Sequence, residues 1–185
     1  MKVGFRELLL RNSLCFLFII FFTQSAFALS IKQTVKDFKV VPLNYGANNL
    51  KVGDKNFIIT KGAFENGNAW GADVYFVLVK QKDSLQFVRL ENIADLSQSI
   101  AINNTPHTGE DSVKSVYFLT SKNALYLLVA KRPYKAEKAT IVTFTLHQVI
   151  LDADFDIFYF KELAQEKSLK EYISIEKAIV QELGL

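Results

Sequence analysis

The chain is poor in cysteine, histidine and tryptophan. Its 185 residues hold one cysteine, Cys15, two histidines, His107 and His147, and one tryptophan, Trp70. Cys15 lies in an N-terminal leader, so the rest of the chain has no disulfide and no thiolate nucleophile. Two histidines are too few for a histidine-rich zinc centre. There is no Gly-x-Ser-x-Gly elbow, and no Ser-x-x-Lys together with its partner motifs. The glycines at 62, 67 and 71 lack dinucleotide-loop spacing, and no long helix follows them. No basic stripe, aromatic RNA motif or finger spacing points to nucleic acid. No cofactor and no metal are therefore expected. A non-enzyme is favoured, with a hydrolase using His107 beside Glu110 or Asp111 as a remote option.

The leader has three parts. Lys2, Arg6 and Arg11 are basic, LCFLFIIFF at 14–22 is apolar, and TQSAFA places Ala26 and Ala28 at small-residue positions. This is the pattern of a cleaved secretory signal peptide over 1–28. The apolar run falls short of the ~20 residues of a membrane span, so no stable anchor is expected after cleavage. A lipoprotein cysteine would follow the run, whereas Cys15 sits at its front. Removing Lys2, Arg6, Glu7 and Arg11 leaves 19 basic against 18 acidic residues. The remaining 29–185 has the length of one domain, and its composition suits a bacterial periplasm.

What the chain has is aromatic and β-branched residues, including 16 Phe and 7 Tyr. They come in short runs between turn signals. Strands are expected at 37–43, ending at Pro42, and at 56–61 after a Gly53-Asp54 turn. DVYFVLVK at 73–80 is apolar on both faces, as in a central strand covered on both sides. QKDS turns the chain into a further strand over 85–92. Residues 93–112 read as a long polar loop, with a short helical piece at 94–99 and a possible subdomain break. A hairpin about 121–123 is expected within 113–133, then a long strand at 139–151 and an aromatic one within 152–163. Tyr172, Ile175, Ile179 and Leu183 recur at helical spacing. About eight strands and a C-terminal helix make the chain mainly β: an antiparallel β-sandwich or a partly closed barrel.

Two readings compete for the polar stretch at 65–70. Glu65, Asn66, Asn68 and Trp70 supply an indole face, amide donors and acceptors, and a carboxylate. They are ligand-binding candidates, with His107 in the polar loop and Arg132, beside Lys131 and Tyr134, at the end of another strand. The alternative makes Trp70 a core plug, the asparagines ordinary turn residues and His107 part of a structural loop. His147 follows strand alternation and is assigned a structural role.

Several segments carry a resemblance. They are NFIITKGAFENGNAWGADVYFVLVK at 56–80, PHTGEDSVKSVYF at 106–118, LYLLVAKR at 125–132, ATIVTFTLHQV at 139–149 and KEYISIEKA at 170–178. From about Asn48 onward the chain resembles the carbapenem intrinsic-resistance proteins of the CarG type. It departs from them in Ala63-Phe64, where Arg or Trp often stands, and in having no later cysteine. The resemblance implies antibiotic protection in the periplasm, without a lactamase apparatus, through stoichiometric binding of a β-lactam. Homo-oligomerisation is compatible with it. The other expectation is an envelope interaction module that binds a protein partner by strand addition.

Overall fold

The structure is a computed structural model and describes residues 30–66, 70–90, 101–106, 112–133 and 138–185. Alternation of β-branched and aromatic residues with polar ones produces strands with one face suited to burial. Among the described residues these are β1 (Lys39–Val40), β2 (Gly46–Val52), β3 (Lys55–Asn66), β4 (Trp70–Gln81), β5 (Ser84–Phe87), β6 (Arg89–Leu90), β7 (Ala101–Asn103), β8 (Thr105–Pro106), β9 (Ser112–Ser121), β10 (Ala124–Lys131), β11 (Thr140–Asp152) and β12 (Ile157–Tyr172). A short helix, α1 (Ile31–Val35), precedes them. Helix α2 (Ile175–Ala178) and a π-helical turn, Ile179–Leu183, follow.

The strands make two sheets. One runs β1-β9-β10-β11-β12-β6, with β8 also on β9; the other runs β2-β3-β4-β5, with β7 also on β4. Every pairing is antiparallel except β12 with β6. The sheets do not join into a closed barrel, and the expected mainly-β, sandwich-like class is what forms.

Two apolar layers hold the fold. Between the sheets, Phe57, Ile59, Val77 and Val79 meet Phe118, Leu125, Leu127, Phe158 and Phe160. On the other face of the larger sheet, Leu119, Leu128, Val142, Phe144 and Leu146 pack against Ile31, Val35, Ile175, Ile179 and Leu183. Ile175, Ile179 and Leu183 bury the expected helical stripe, whereas Tyr172 belongs to the end of β12. Burying each of these side chains contributes about 1.5–3 kcal/mol to the hydrophobic term.

Four local expectations are corrected. The strand expected at 37–43 is two residues long, and a helix the periodicity missed precedes it. The polar loop at 93–112 is partly strand: β7 pairs with β4 and β8 with β9, so 101–106 ties one sheet to the other. The expected 94–99 helix lies outside the described residues. The strand expected at 85–92 breaks at buried Val88, whose N–H donates to Val77 while β6 joins the opposite sheet. β4 is central in hydrogen bonding, but among its described side chains only Tyr75, Val77 and Val79 are buried; Val74, Phe76 and Leu78 are half-buried. No layer of described residues covers that outer face as the helices cover the larger sheet.

Two irregularities in β12 shape what comes next. Opposite Val142, the chain bulges through Ser168–Lys170, and Ser168 Oγ accepts the Val142 N–H at 2.9 Å while donating to the Lys170 carbonyl. The side chain thus satisfies a buried amide that has lost its ladder partner. A second bulge falls at Leu163, because Leu146 pairs with Ala164 but His147 pairs with Glu162.

Candidate functional site

The inner face of the larger sheet changes character along its length. At one end it is Phe118, Leu125, Phe158 and Phe160. Toward the other end the same alternating positions carry Lys114 on β9, Lys131 on β10, Thr145 and His147 on β11, and Glu162 and Gln165 on β12. Leu127 and Val129 lie between, and Leu90 of β6 and Ile102 of β7 complete the margin. Together they line an open cleft of about 280 Å³.

The Leu163 bulge helps build it. Strict alternation from Phe158 through Phe160 and Glu162 would point Ala164 and Glu166 inward. The extra residue reverses the parity. Ala164 packs toward the helices, and Glu166 Oε2 accepts the Ile31 N–H at 2.8 Å on that same side. Gln165 faces the cleft instead, and its amide donates to Thr145 Oγ1 at 3.3 Å.

Lys114 is a perturbed group of the cleft. It is half-buried, and its Nζ donates to Asn103 Oδ1 at 2.9 Å. Lys131 is its direct cross-strand partner. Burial, and secondarily the charge of Lys131, lowers the Lys114 pKa from 10.5 to about 8. Two adjacent cationic side chains on a partly desolvated wall favour a ligand with a carboxylate or similar anion. His147 and Glu162 face the same space from adjacent strands.

The smaller sheet turns polar at the matching end. Asp73 Oδ1 accepts the Tyr45 hydroxyl at 2.9 Å, and Oδ2 accepts the Tyr75 hydroxyl at 3.3 Å. Lys61 Nζ lies 3.1 Å from Asp73 Oδ2 and 4.6 Å from the centre of the Tyr45 ring. Asn104 donates its side-chain amide to the Tyr75 hydroxyl, and its N–H to the Asp73 carbonyl. Burial, helped by Asp73, raises the Tyr75 pKa, and the hydrogen bond to Asp73 raises that of Tyr45. Both tyrosines therefore act as donors at neutral pH. Asn103 and Asn104 belong to the segment that spans the sheets, so one strap contacts the Lys114 wall and the Asp73 network together.

The sequence-derived candidates fall in different places. Glu65, Asn66 and Trp70 lie on the β3–β4 hairpin, where Asn66 is paired with Trp70 and Glu65 with Gly71. This hairpin extends past Asp73, at the polar end of the smaller sheet. Their side chains lie outside the described part of the structure, as do Asn68, His107, Glu110, Asp111 and Tyr134 altogether. Arg132 is 5% exposed and does not line the cleft, whereas its neighbour Lys131 does. Lys114, Thr145, Glu162 and Gln165 were not singled out from the sequence, and His147, read there as structural, lines the cleft. The available signal was a shift from apolar to polar residues at same-face positions of four successive strands. Among the described residues no group of three His, Asp or Glu side chains is placed to hold a metal ion.

No family model matches the chain, and no curated protein matches it. Among solved structures, the chain is similar to the crystal structure of CarG, with a TM-score of 0.66 and 13% sequence identity, over 77% of this chain and 94% of that one. At this identity the likeness is one of fold.

Proposed function

We propose that this is a periplasmic antibiotic-protection protein that binds a small β-lactam carboxylate, of the carbapenem kind, without turning it over. The single observation that carries the reading is the pair of lysines, Lys114 and Lys131, side by side on the wall of a cleft in a CarG-like fold. The carboxylate would lie against Lys131, with Lys114 beside it, and Thr145 and Gln165 would serve the lactam carbonyl. The cleft volume lies near the lower limit of ordinary small-molecule sites, about 300–1,000 Å³, which suits a compact bicyclic ligand. Glu65, Asn66 and Trp70, on β3 and β4 beyond Asp73, would offer a second surface for that ligand.

Calorimetry of the purified protein against a carbapenem tests this. Heat with one-to-one stoichiometry is expected, weakened about tenfold or more in Lys131→Ala. Absence of heat and of any thermal shift at millimolar drug would sink the reading. Loss of lactam absorbance continuing well past one equivalent would make the protein an enzyme instead.

Strand addition is the second reading. Beyond Phe160, β12 is paired with β11 alone among the described strands, which leaves one long edge. That stretch carries Lys161, Glu162, Glu166, Lys167, Lys170 and Glu171, and charge along an edge discourages pairing. The cleft is therefore preferred.

A further inference from the structure

We propose that Lys114 is a nucleophilic amine that captures the ligand covalently, its Nζ joining the lactam carbonyl carbon in a stable amide. The proposal rests on the binding role argued above and gives it a chemical end point.

Position comes first. Lys114 faces the cleft from β9, and its Nζ is held by Asn103 Oδ1 of the strap rather than left to roam in solvent. The titratable groups that share the cleft with it are Lys131 from β10, His147 from β11 and Glu162 from β12. A carboxylate seated on Lys131 would bring the rest of a small bicyclic ligand toward the neighbouring amine, because the two lysines are cross-strand partners. Desolvation beside a second cation is a recognised way to activate a lysine. The lowered pKa means that an appreciable fraction of Lys114 is neutral, and so nucleophilic, near neutral pH.

The step balances without another reactant. The amine lone pair forms a bond to the lactam carbonyl carbon. The strained carbon–nitrogen bond of the ring breaks, and its electron pair goes to the ring nitrogen. One proton of the attacking amine ends on that nitrogen. The product is an amide, which water does not readily cleave, so each protein molecule is used once. This chemistry limits loss of lactam absorbance to one equivalent.

The test combines intact-mass measurement, peptide mapping and calorimetry on the purified protein with a carbapenem. The expected result is a gain of one whole drug mass, mapped to Lys114, with an initial rate rising about fifty-fold between pH 6 and pH 8 as the amine is deprotonated. Lys114→Arg keeps the charge and should still give heat of binding while losing the adduct. The rate profile of the unaltered protein stands even if that variant folds poorly. Heat without a mass gain would overturn covalent capture and leave the binding reading intact. An adduct on exposed lysines such as Lys36 or Lys51, undiminished in Lys114→Arg, would also overturn it. Neither heat nor adduct would overturn both.

Discussion

The two ends of the larger sheet's inner face use the same strands and the same alternation, yet they do opposite things. At one end, Phe118, Leu125, Phe158 and Phe160 close against Phe57, Val77 and Val79 of the smaller sheet. At the other, Lys114, Lys131, Thr145, His147, Glu162 and Gln165 line an open space. The first end supplies stability through burial; the second gives up burial for groups that can meet a ligand. A lysine left half-buried beside another lysine is a cost to the fold, and such costs gather at functional sites.

The comparison breaks most visibly at the closed end. Phe160 is fully buried, and Phe160→Ala should lower unfolding stability by about 3–5 kcal/mol, measured by urea denaturation. If the loss were below about 1 kcal/mol, the closed end would not be the stabilising one.

At the open end the effect should fall on the ligand. Lys131→Met should cut carbapenem affinity by about tenfold or more while changing stability by less than about 1 kcal/mol. Calorimetry and thermal melting of the same sample separate the two quantities.

Lys114 tests the cost directly. Its folded pKa of about 8 lies below its ordinary 10.5, so between those values the unfolded chain binds more protons than the folded one. Stability therefore rises with pH through this window, and the penalty is complete below it. Lys114→Met should raise stability at pH 7 by about 1 kcal/mol, after allowance for partial exposure. It should also flatten the rise between pH 8 and 10.5. Denaturant titrations at neutral and alkaline pH provide the check.

The smallest effect belongs to Gln165. Gln165→Ala should leave stability within about 0.5 kcal/mol of the parent, with a modest loss of affinity. A large loss of stability would place Gln165 with the structural residues and blur the division.

The contrast also explains what could be read from the sequence. The hairpin around 121–123 and the faces of 139–151 were legible because alternation there is regular and Val142, Phe144 and Leu146 make one face apolar. Short elements were not: α1 offers one apolar pair, Ile31 and Val35, and β7 and β8 are only three and two residues long. β12 was expected to end near Leu163 because its later half is charged and interrupted. Its true extent depends on bulges at Leu163 and Ser168 that periodicity cannot register. The cleft was hidden for a different reason. Its walls come from six strands between Leu90 and Gln165, and they become neighbours only after the sheets have formed. Lys114 reads locally as one more solvent-facing lysine. The resemblance pointed to the same kind of fold as the structural comparison, while Arg132 proved to be buried away from the cleft and Lys131 beside it.

The order of the strands also bears on how quickly the chain can fold. β2-β3-β4-β5 and β9-β10-β11-β12 are each meanders in which every strand pairs with the next in sequence. Each can zip from its own turns at low loop-closure cost. The joins between distant segments are brief: two residue pairs for β1 with β9, and two for β6 with β12. The slow event should then be the meeting of two preformed halves, with the strap at 101–106 as a tether.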